Sequence, residues 1–229
     1  LDALAAGHQG PLHLAVVGQG VAGVEVAFAL KQRLLGKRVQ IALVGRAGRP
    51  VPARSNRAQR MVEDELQQAG IAHHPGFDVV AFDNGTLIAR DGRRIDTDEA
   101  VWTTSSGAPD WLRETALDLD GAGFICVDET LRALSHPDIF AAGDVASLPD
   151  PRPKAGVFAV RQGPVLAQNI CRSLSREPLL PFRPQRAWLA LISLSDGRTI
   201  ADKWGVAFSG RWVSAWKHRN DTRFVRRYS

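Results

Sequence analysis

The chain has only two cysteines in 229 residues, Cys126 and Cys171, far apart and in no CxxC pair. Their scarcity excludes a disulfide scaffold and a cysteine-rich zinc site, and makes a reducing compartment the default. Cys126 lies in the apolar run GFICV and Cys171 in the helix-forming stretch VLAQNICRSL. Both are expected to be small buried hydrophobes rather than reactive thiols. No run approaches the ~20 apolar residues that span a bilayer, and no secretory signal is visible. Internal repeats and low-complexity segments are missing too. The opening LDALAAGHQGP carries no initiator Met and reads as a cut or a linker, so a piece of a longer polypeptide is expected.

An excess of one charge is also absent from most of the chain. The formal charge is +5, yet six Lys/Arg and one Asp fall between Arg211 and Ser229, leaving 23 of each sign in the first 210 residues. The basicity belongs to a tail. A nucleic-acid partner is therefore not implied by the pI of 9.8. Hydrophobic residues make up 45% and charged ones 23%, which suits a soluble globular chain with one large core or two modest ones.

What is present begins with a buried-strand pattern, Leu12 to Val17, that stops at Gly18. Apolar residues at helical spacing follow from Gly23 to Leu35, with Lys31 and Arg33 outward. RVQIALVG reads as a second buried strand, and SNRAQRMVEDELQQAG as a helix capped by Ser55 or Asn56 and ended by Gly70. Strand, helix, strand, helix implies an α/β fold with a parallel sheet and right-handed crossovers. Asn84-Gly85 and Asp91-Gly92 then punctuate β-rich runs, the pattern of a small antiparallel meander. EAVWTTSSGAPDWL is a strand entering a Gly/Pro loop that includes Gly107, and GFICVD is a further strand. KAGVFAVRQGPVLAQNICRSL is a long helix in which Gly163-Pro164 predicts an interruption or kink. AWLALISLSDGRTIADKWG is strand-like.

Gly18-Gln19-Gly20-Val21-Ala22-Gly23 fits GxGxxG directly after a strand and opening a helix, the context that gives this short pattern weight. Gly18 permits the tight turn, Gly20 lets backbone approach a pyrophosphate, and Gly23 lets helix and strand pack. The helix N-terminus offers free N–H groups and a partial positive charge to the phosphates. An acidic residue for the adenosine ribose is expected at the end of the second strand. That position is Gly45, and no carboxylate follows until Glu63. Arg46 and Arg49 are placed to meet a 2′-phosphate or to sit solvated in a loop, so NADH and NADPH both remain open.

HPDIFAAGDVA, with the upstream strand GFICVDETLR, resembles the pyridine nucleotide-disulfide oxidoreductase superfamily of two-dinucleotide flavoproteins, and within it the type II NADH dehydrogenases. RPKAGVFAVRQGPVLAQNI, PQRAWLALISLSDGRTIA and GRWVSAWKHRNDTRF are closer still to the flavoprotein family fused to, or encoded beside, selenophosphate synthetase. The resemblance covers essentially the whole chain. It implies a Rossmann-like NAD(P)H domain set inside an FAD fold, with FAD and NAD(P)H as cofactors and electrons passing to a quinone or another small-molecule acceptor. It places Gly18 to Gly23 at the NAD(P)H site, Glu25 near the nicotinamide end, and Gly143 with Asp144 at the ribityl hydroxyls of FAD. A carboxylate at a strand end is a good acceptor for a sugar alcohol. The segment Lys154 to Gly163 would begin the helix aimed at the flavin pyrimidine ring, with Lys154 or Arg161 adding positive charge.

Two departures stand beside it. No first FAD motif precedes residue 13, so half of the flavin fold is missing, and without CxxC no dithiol relay operates. The expected division is an NAD(P)H domain over residues 1–104, the C-terminal half of an FAD domain over 105–180, and a strand-rich extension over 181–229. The partner would be the missing N-terminal half or a fused domain, with no nucleic acid; a homodimer is a further option. Trp212 and Trp216 share a helix face at i, i+4. Either this basic element rests on an anionic membrane surface, or it packs its Trp face on the FAD fold; Asn220 and Asp221 interrupt the stripe and favour packing. A docking surface for a fused domain is a third reading. The expected location is the cytoplasm, with the inner face of the membrane as an alternative. Against the enzyme stands a non-catalytic NAD(P)-sensing or interaction module.

Overall fold

A computed structural model describes residues 8, 10–105, 107–185 and 187–228. The chain divides into two compact units, Leu1–Thr104 with Leu189–Ser229, and Ser105–Trp188.

The first unit starts with β1 (Leu12–Val17), α1 (Val21–Arg33), β2 (Val39–Val44), α2 (Asn56–Gln68), β3 (Ala72–His74), β4 (Val79–Asp83), β5 (Thr86–Ala89), β6 (Arg94–Asp96) and β7 (Glu99–Trp102). Four strands form a parallel sheet in the order β3-β2-β1-β7. Strand β1 is apolar on both sides because both sides are covered. Leu12, Leu14 and Val16 pack with Val24 and Phe28 of α1 and Val62 and Leu66 of α2, while Ala15 and Val17 pack with Phe77, Leu87 and Ala89 of the meander. The meander is β4-β5-β6, antiparallel throughout. Its first turn is made by Asn84 and Gly85, both at positive φ, the backbone sense that matches strand twist. The Ser55 hydroxyl accepts from the Ala58 N–H and caps α2.

The same unit continues with β10 (Ala190–Ser193), β11 (Thr199–Lys203), β12 (Val206–Gly210) and α4 (Arg211–Tyr228). The antiparallel sheet β10-β11-β12 brings Ile192, Leu194 and Ile200 into the core formed by α1, α2 and β1. Every residue of β11 from Thr199 to Asp202 is buried. The C-terminal segment therefore completes the core of the first unit. The tail helix differs from the packed-Trp reading: Val213 is its buried residue, whereas Trp212 is 62% and Trp216 38% exposed. Trp212 stacks on Phe208 of β12, which occupies one ring face and leaves the other to solvent.

The second unit holds β8 (Ile125–Cys126), β9 (Ala146–Ser147) and α3 (Gly156–Leu174), with short 3-10 turns at Asp110–Glu114 and Gly143–Val145. Strands β8 and β9 form a parallel sheet of two strands. Two corrections belong here. Helix α3 runs unbroken for 19 residues through Pro164. The carbonyl that Pro164 leaves without a donor belongs to Val160, which is exposed, so water can take the place of the lost bond. Cys171 is exposed, because the buried side of α3 carries Phe158, Gln162 and Asn169 and residue 171 lies two positions off that stripe.

Candidate functional site

Strand β1, the glycine turn and α1 set the first site. Gly18 has φ +115°, and a Cβ on it would stand 2.6 Å from Thr103 Oγ1. That hydroxyl is 3.1 Å from the carbonyls of both Val17 and Gly18, so the end of β7 braces the turn. A Cβ on Gly23 would lie 1.7 Å from the Gly18 carbonyl oxygen, which fixes glycine where helix meets strand. Gly20 has open space around its missing side chain and precedes α1 without any side-chain cap. The first N–H groups of the helix are thus left to an anion. These residues fit a dinucleotide pyrophosphate.

The remaining expected residues of this site have more specific placements. Val21 is half-buried and packs against the core. Gln19 is 5% exposed; its amide donates to the Ala47 carbonyl at 2.6 Å, and its Oε1 lies 2.8 Å from His73 Nε2. The Ala47 carbonyl can only accept, so His73 must carry its proton on Nε2. Burial holds the His73 imidazole below its usual range, with Glu63 pulling upward and His74 downward. Glu25 accepts from the Ser193 N–H at 2.9 Å and lies 3.5 Å from Lys217 Nζ, so it ties α1 to β10 and α4. Arg46 is exposed, and Arg49 sits 3.6 Å from Glu63.

The second site lies in the other unit, at the C-terminal end of the strand-like segment before Gly143. Gly143 has φ +74°, and Asp144 follows it on a short turn with its side chain exposed. A cavity of about 190 Å³ opens beside them, walled in part by Asp120, Ser147, Lys154 and Gln162. Lys154 Nζ donates to the Ala146 carbonyl and lies 4.0 Å from the Phe124 ring centre. Burial pushes its ammonium below the usual lysine range, opposed by the Asp120 and Asp144 carboxylates. Burial works to raise Asp120, but the Ser147 hydroxyl, the Phe124 and Ala122 N–H groups and Lys154 outweigh it and hold the carboxyl low. Helix α3 begins beside the cavity with no side-chain cap at Ala155. Arg161 and Gly107 are exposed.

Sequence reasoning missed Gln162, which is 2% exposed and accepts from the Gly143 N–H. Its signal was a polar residue one turn after Phe158, on the helix's inward side. It also missed Asn169, whose amide serves the Thr130 and Leu180 carbonyls and the Leu180 N–H. Among the described residues no His/Cys/Asp/Glu group is arranged to hold a metal. Cys126 is half-buried rather than buried as expected, and burial, with Asp120 and Asp118 nearby, pushes its thiol up, which favours thiol over thiolate.

The pyridine nucleotide-disulphide oxidoreductase family model matches residues 2–163. The chain is 28% identical over 207 residues to demethylphylloquinone reductase of Synechocystis, covering 87% of this chain and 50% of that protein. It is 26% identical over 201 residues to a type II NADH:quinone oxidoreductase of Haemophilus influenzae, covering 81% and 45%. The chain thus spans about half the length of these relatives. Among solved structures it resembles an engineered water-forming NADPH oxidase bound to NADPH, with TM-score 0.67 and 23% identity over 87% of this chain and 44% of that one. A second is an FAD-dependent pyridine nucleotide-disulphide oxidoreductase from Desulfovibrio vulgaris, with TM-score 0.65 and 23% identity over 87% and 51%.

Proposed function

Because the chain belongs to the pyridine nucleotide-disulphide oxidoreductase family, we propose that it carries the NAD(P)H-binding domain and the C-terminal half of the FAD-binding domain of a flavin-dependent NAD(P)H oxidoreductase. Residues 1–104 form the first part and 105–180 the second. The observation that carries the proposal is the presence of an open glycine turn at the end of β1 and of a Gly143-Asp144 turn beside a cavity that Asp120, Lys154 and Gln162 help to wall. FAD, when bound, would take the hydride of NAD(P)H and pass the electrons to a quinone, the acceptor class in the names of two relatives.

The chain's own part in this is positioning and charge. The N–H groups at the start of α1 hold the pyrophosphate, and Thr103 keeps the turn rigid. Gln162 fixes Gly143 so that Asp144 faces the cavity with free acceptors for sugar hydroxyls. The uncapped start of α3 offers its N–H groups and Lys154 its ammonium to that cavity, and a flavin held there would have its reduced, anionic form favoured by them. No side-chain nucleophile is required.

The second site fits part of FAD only. A cavity of about 190 Å³ is below the ~300–1,000 Å³ of a complete small-ligand site, and parallel sheets of two strands are rare because both faces need cover. Supplying the N-terminal half of the FAD fold should yield yellow protein that oxidises NAD(P)H with a soluble quinone, while the chain alone holds little or no flavin. Stoichiometric FAD on the chain alone overturns the half-site. Dinucleotide binding with no turnover after the N-terminal half is supplied favours the sensing module.

The exposed Trp212 and Trp216, with the tail's net charge of +5, support the reading in which α4 rests on an anionic membrane at the cytoplasmic face. Co-sedimentation with anionic vesicles, reversed by salt, is the expected result. Failure to sediment, with dimerisation in solution, would assign the same face to a second copy or a fused domain.

A further inference from the structure

The corner where the adenosine ribose of a dinucleotide would lie is closed in an uncommon way. Strand β2 ends at Val44, and the next residue is where a ribose-binding carboxylate normally stands. Here it is Gly45, and the reason lies in Gln19. A Cβ on Gly45 would fall 2.5 Å from Gln19 Cγ, 2.7 Å from Cδ and 3.0 Å from Cβ. Cγ and Cδ stand too close to be accommodated where they are, whereas Cβ is a tight contact that a shift of a few tenths of an ångström relieves.

Gln19 is not free to turn. Its amide joins Ala47 to His73, its backbone carbonyl accepts from the Val51 N–H at 2.7 Å, and the whole residue is buried. Both ends of the amide are already engaged and the residue is buried, so it is poorly placed to serve a ribose hydroxyl. The Gly45 and Ala47 carbonyls are occupied as well, by the N–H groups of Phe77 and Gly76. The corner has thus lost its usual carboxylate, and a neutral, buried amide stands in its place.

What the same loop does present is cationic. Between Gly45 and Val62 the sequence has five arginines and no carboxylate. Arg49 is drawn toward Glu63 at 3.6 Å and Arg54 toward Asp202 at 3.7 Å. Arg46, one residue past the missing carboxylate, is exposed and has no ion pair among the described residues. A 2′-hydroxyl gains little from this arrangement. A 2′-phosphate gains a guanidinium with a donor geometry that fits it, in a loop whose residues 46–61 include no carboxylate.

We propose that this chain selects NADPH over NADH, with Arg46 receiving the 2′-phosphate and the Gln19–His73 pair acting as positioning residues that keep a ribose-binding carboxylate out. The inference rests on the reading of the glycine turn as a dinucleotide site. It is tested on the full chain by titrating NADPH and NADH separately, following nucleotide fluorescence. NADPH should bind at least about tenfold tighter, and raising the salt should narrow the gap. Arg46→Ala should remove the preference and leave NADH affinity within about twofold. Gly45→Asp alone should gain no NADH affinity, whereas Gln19→Ala with Gly45→Asp should reverse the preference, a change in discrimination that a merely structural role would not produce. Equal affinities, or an Arg46→Ala chain that keeps its preference, overturn the inference and leave the dinucleotide site standing. Binding of neither nucleotide overturns both.

Discussion

Gln162 shows how one buried polar side chain can set a site. It is 2% exposed on the packed side of α3 and accepts the Gly143 N–H. Gln162→Leu keeps the volume but orphans that N–H, so a loss of about 1–3 kcal/mol is expected in denaturant unfolding. Flavin retention by the reconstituted protein should fall with it, because Asp144 is no longer held by the turn. His73 and His74 make the second residue-scale case. Burial is the largest influence on each and holds both below the ordinary 6.5, with His74 and Arg93 respectively adding to the effect. The unfolded chain therefore takes up protons that the folded one refuses. Their contribution is complete above the ordinary value and declines as pH falls below it toward the depressed folded values. Thermal midpoints should drop between about pH 7.5 and about pH 5.5, and His73→Gln should shrink the drop. A profile unchanged by that substitution would remove His73 from the account.

Among the elements, β11 carries the most consequence. Its Asp202 is 4% exposed, accepts from the Ser55 hydroxyl at 2.6 Å and lies 3.7 Å from Arg54. One carboxylate thereby fastens the C-terminal sheet to the cap of α2. Asp202→Ala removes a buried carboxylate from both the Ser55 hydroxyl and the Arg54 guanidinium and should cost about 3 kcal/mol. The other tie between these elements, Arg198 with Glu65 at 2.6 and 2.7 Å, is more regular in geometry but partly exposed. Arg198→Ala should cost only about 1 kcal/mol. Hydrogen exchange in β11 distinguishes the two, rising in the first variant and staying near the parent in the second. Burial, more than ideal geometry, decides the ranking.

At the scale of the molecule the chain's last 41 residues belong to its first compact unit. Ile192, Leu194 and Ile200 are buried with Val24, Phe28 and Leu66. Removing residues 189–229 re-exposes that surface, about 1.5–3 kcal/mol for each large side chain uncovered, against a total stability of only ~5–15 kcal/mol. The shortened chain should aggregate or unfold, as read by size-exclusion and circular dichroism; a folded monomer would refute this assignment of the core. Much of the rest was legible from the chain. The strand-turn-helix around Gly18 to Gly23, the Ser55 cap, the Asn84-Gly85 turn and the meander follow from local rules, because backbone sterics and short-range periodicity operate within a few residues. Gly45 could be seen as an absence, but only the folded chain gives its cause in the Gln19 side chain. Sequence by itself determined the parallel sheet with its glycine turn and the family motifs. Tertiary structure decided that β10, β11 and β12 complete the first core, that Cys171 and the tail tryptophans face solvent, and that Gln19, Gln162 and Asp202 hold buried polar ties. Those outcomes depend on partners 19 to 168 residues apart, a separation at which no local pattern says which polar side chain finds which.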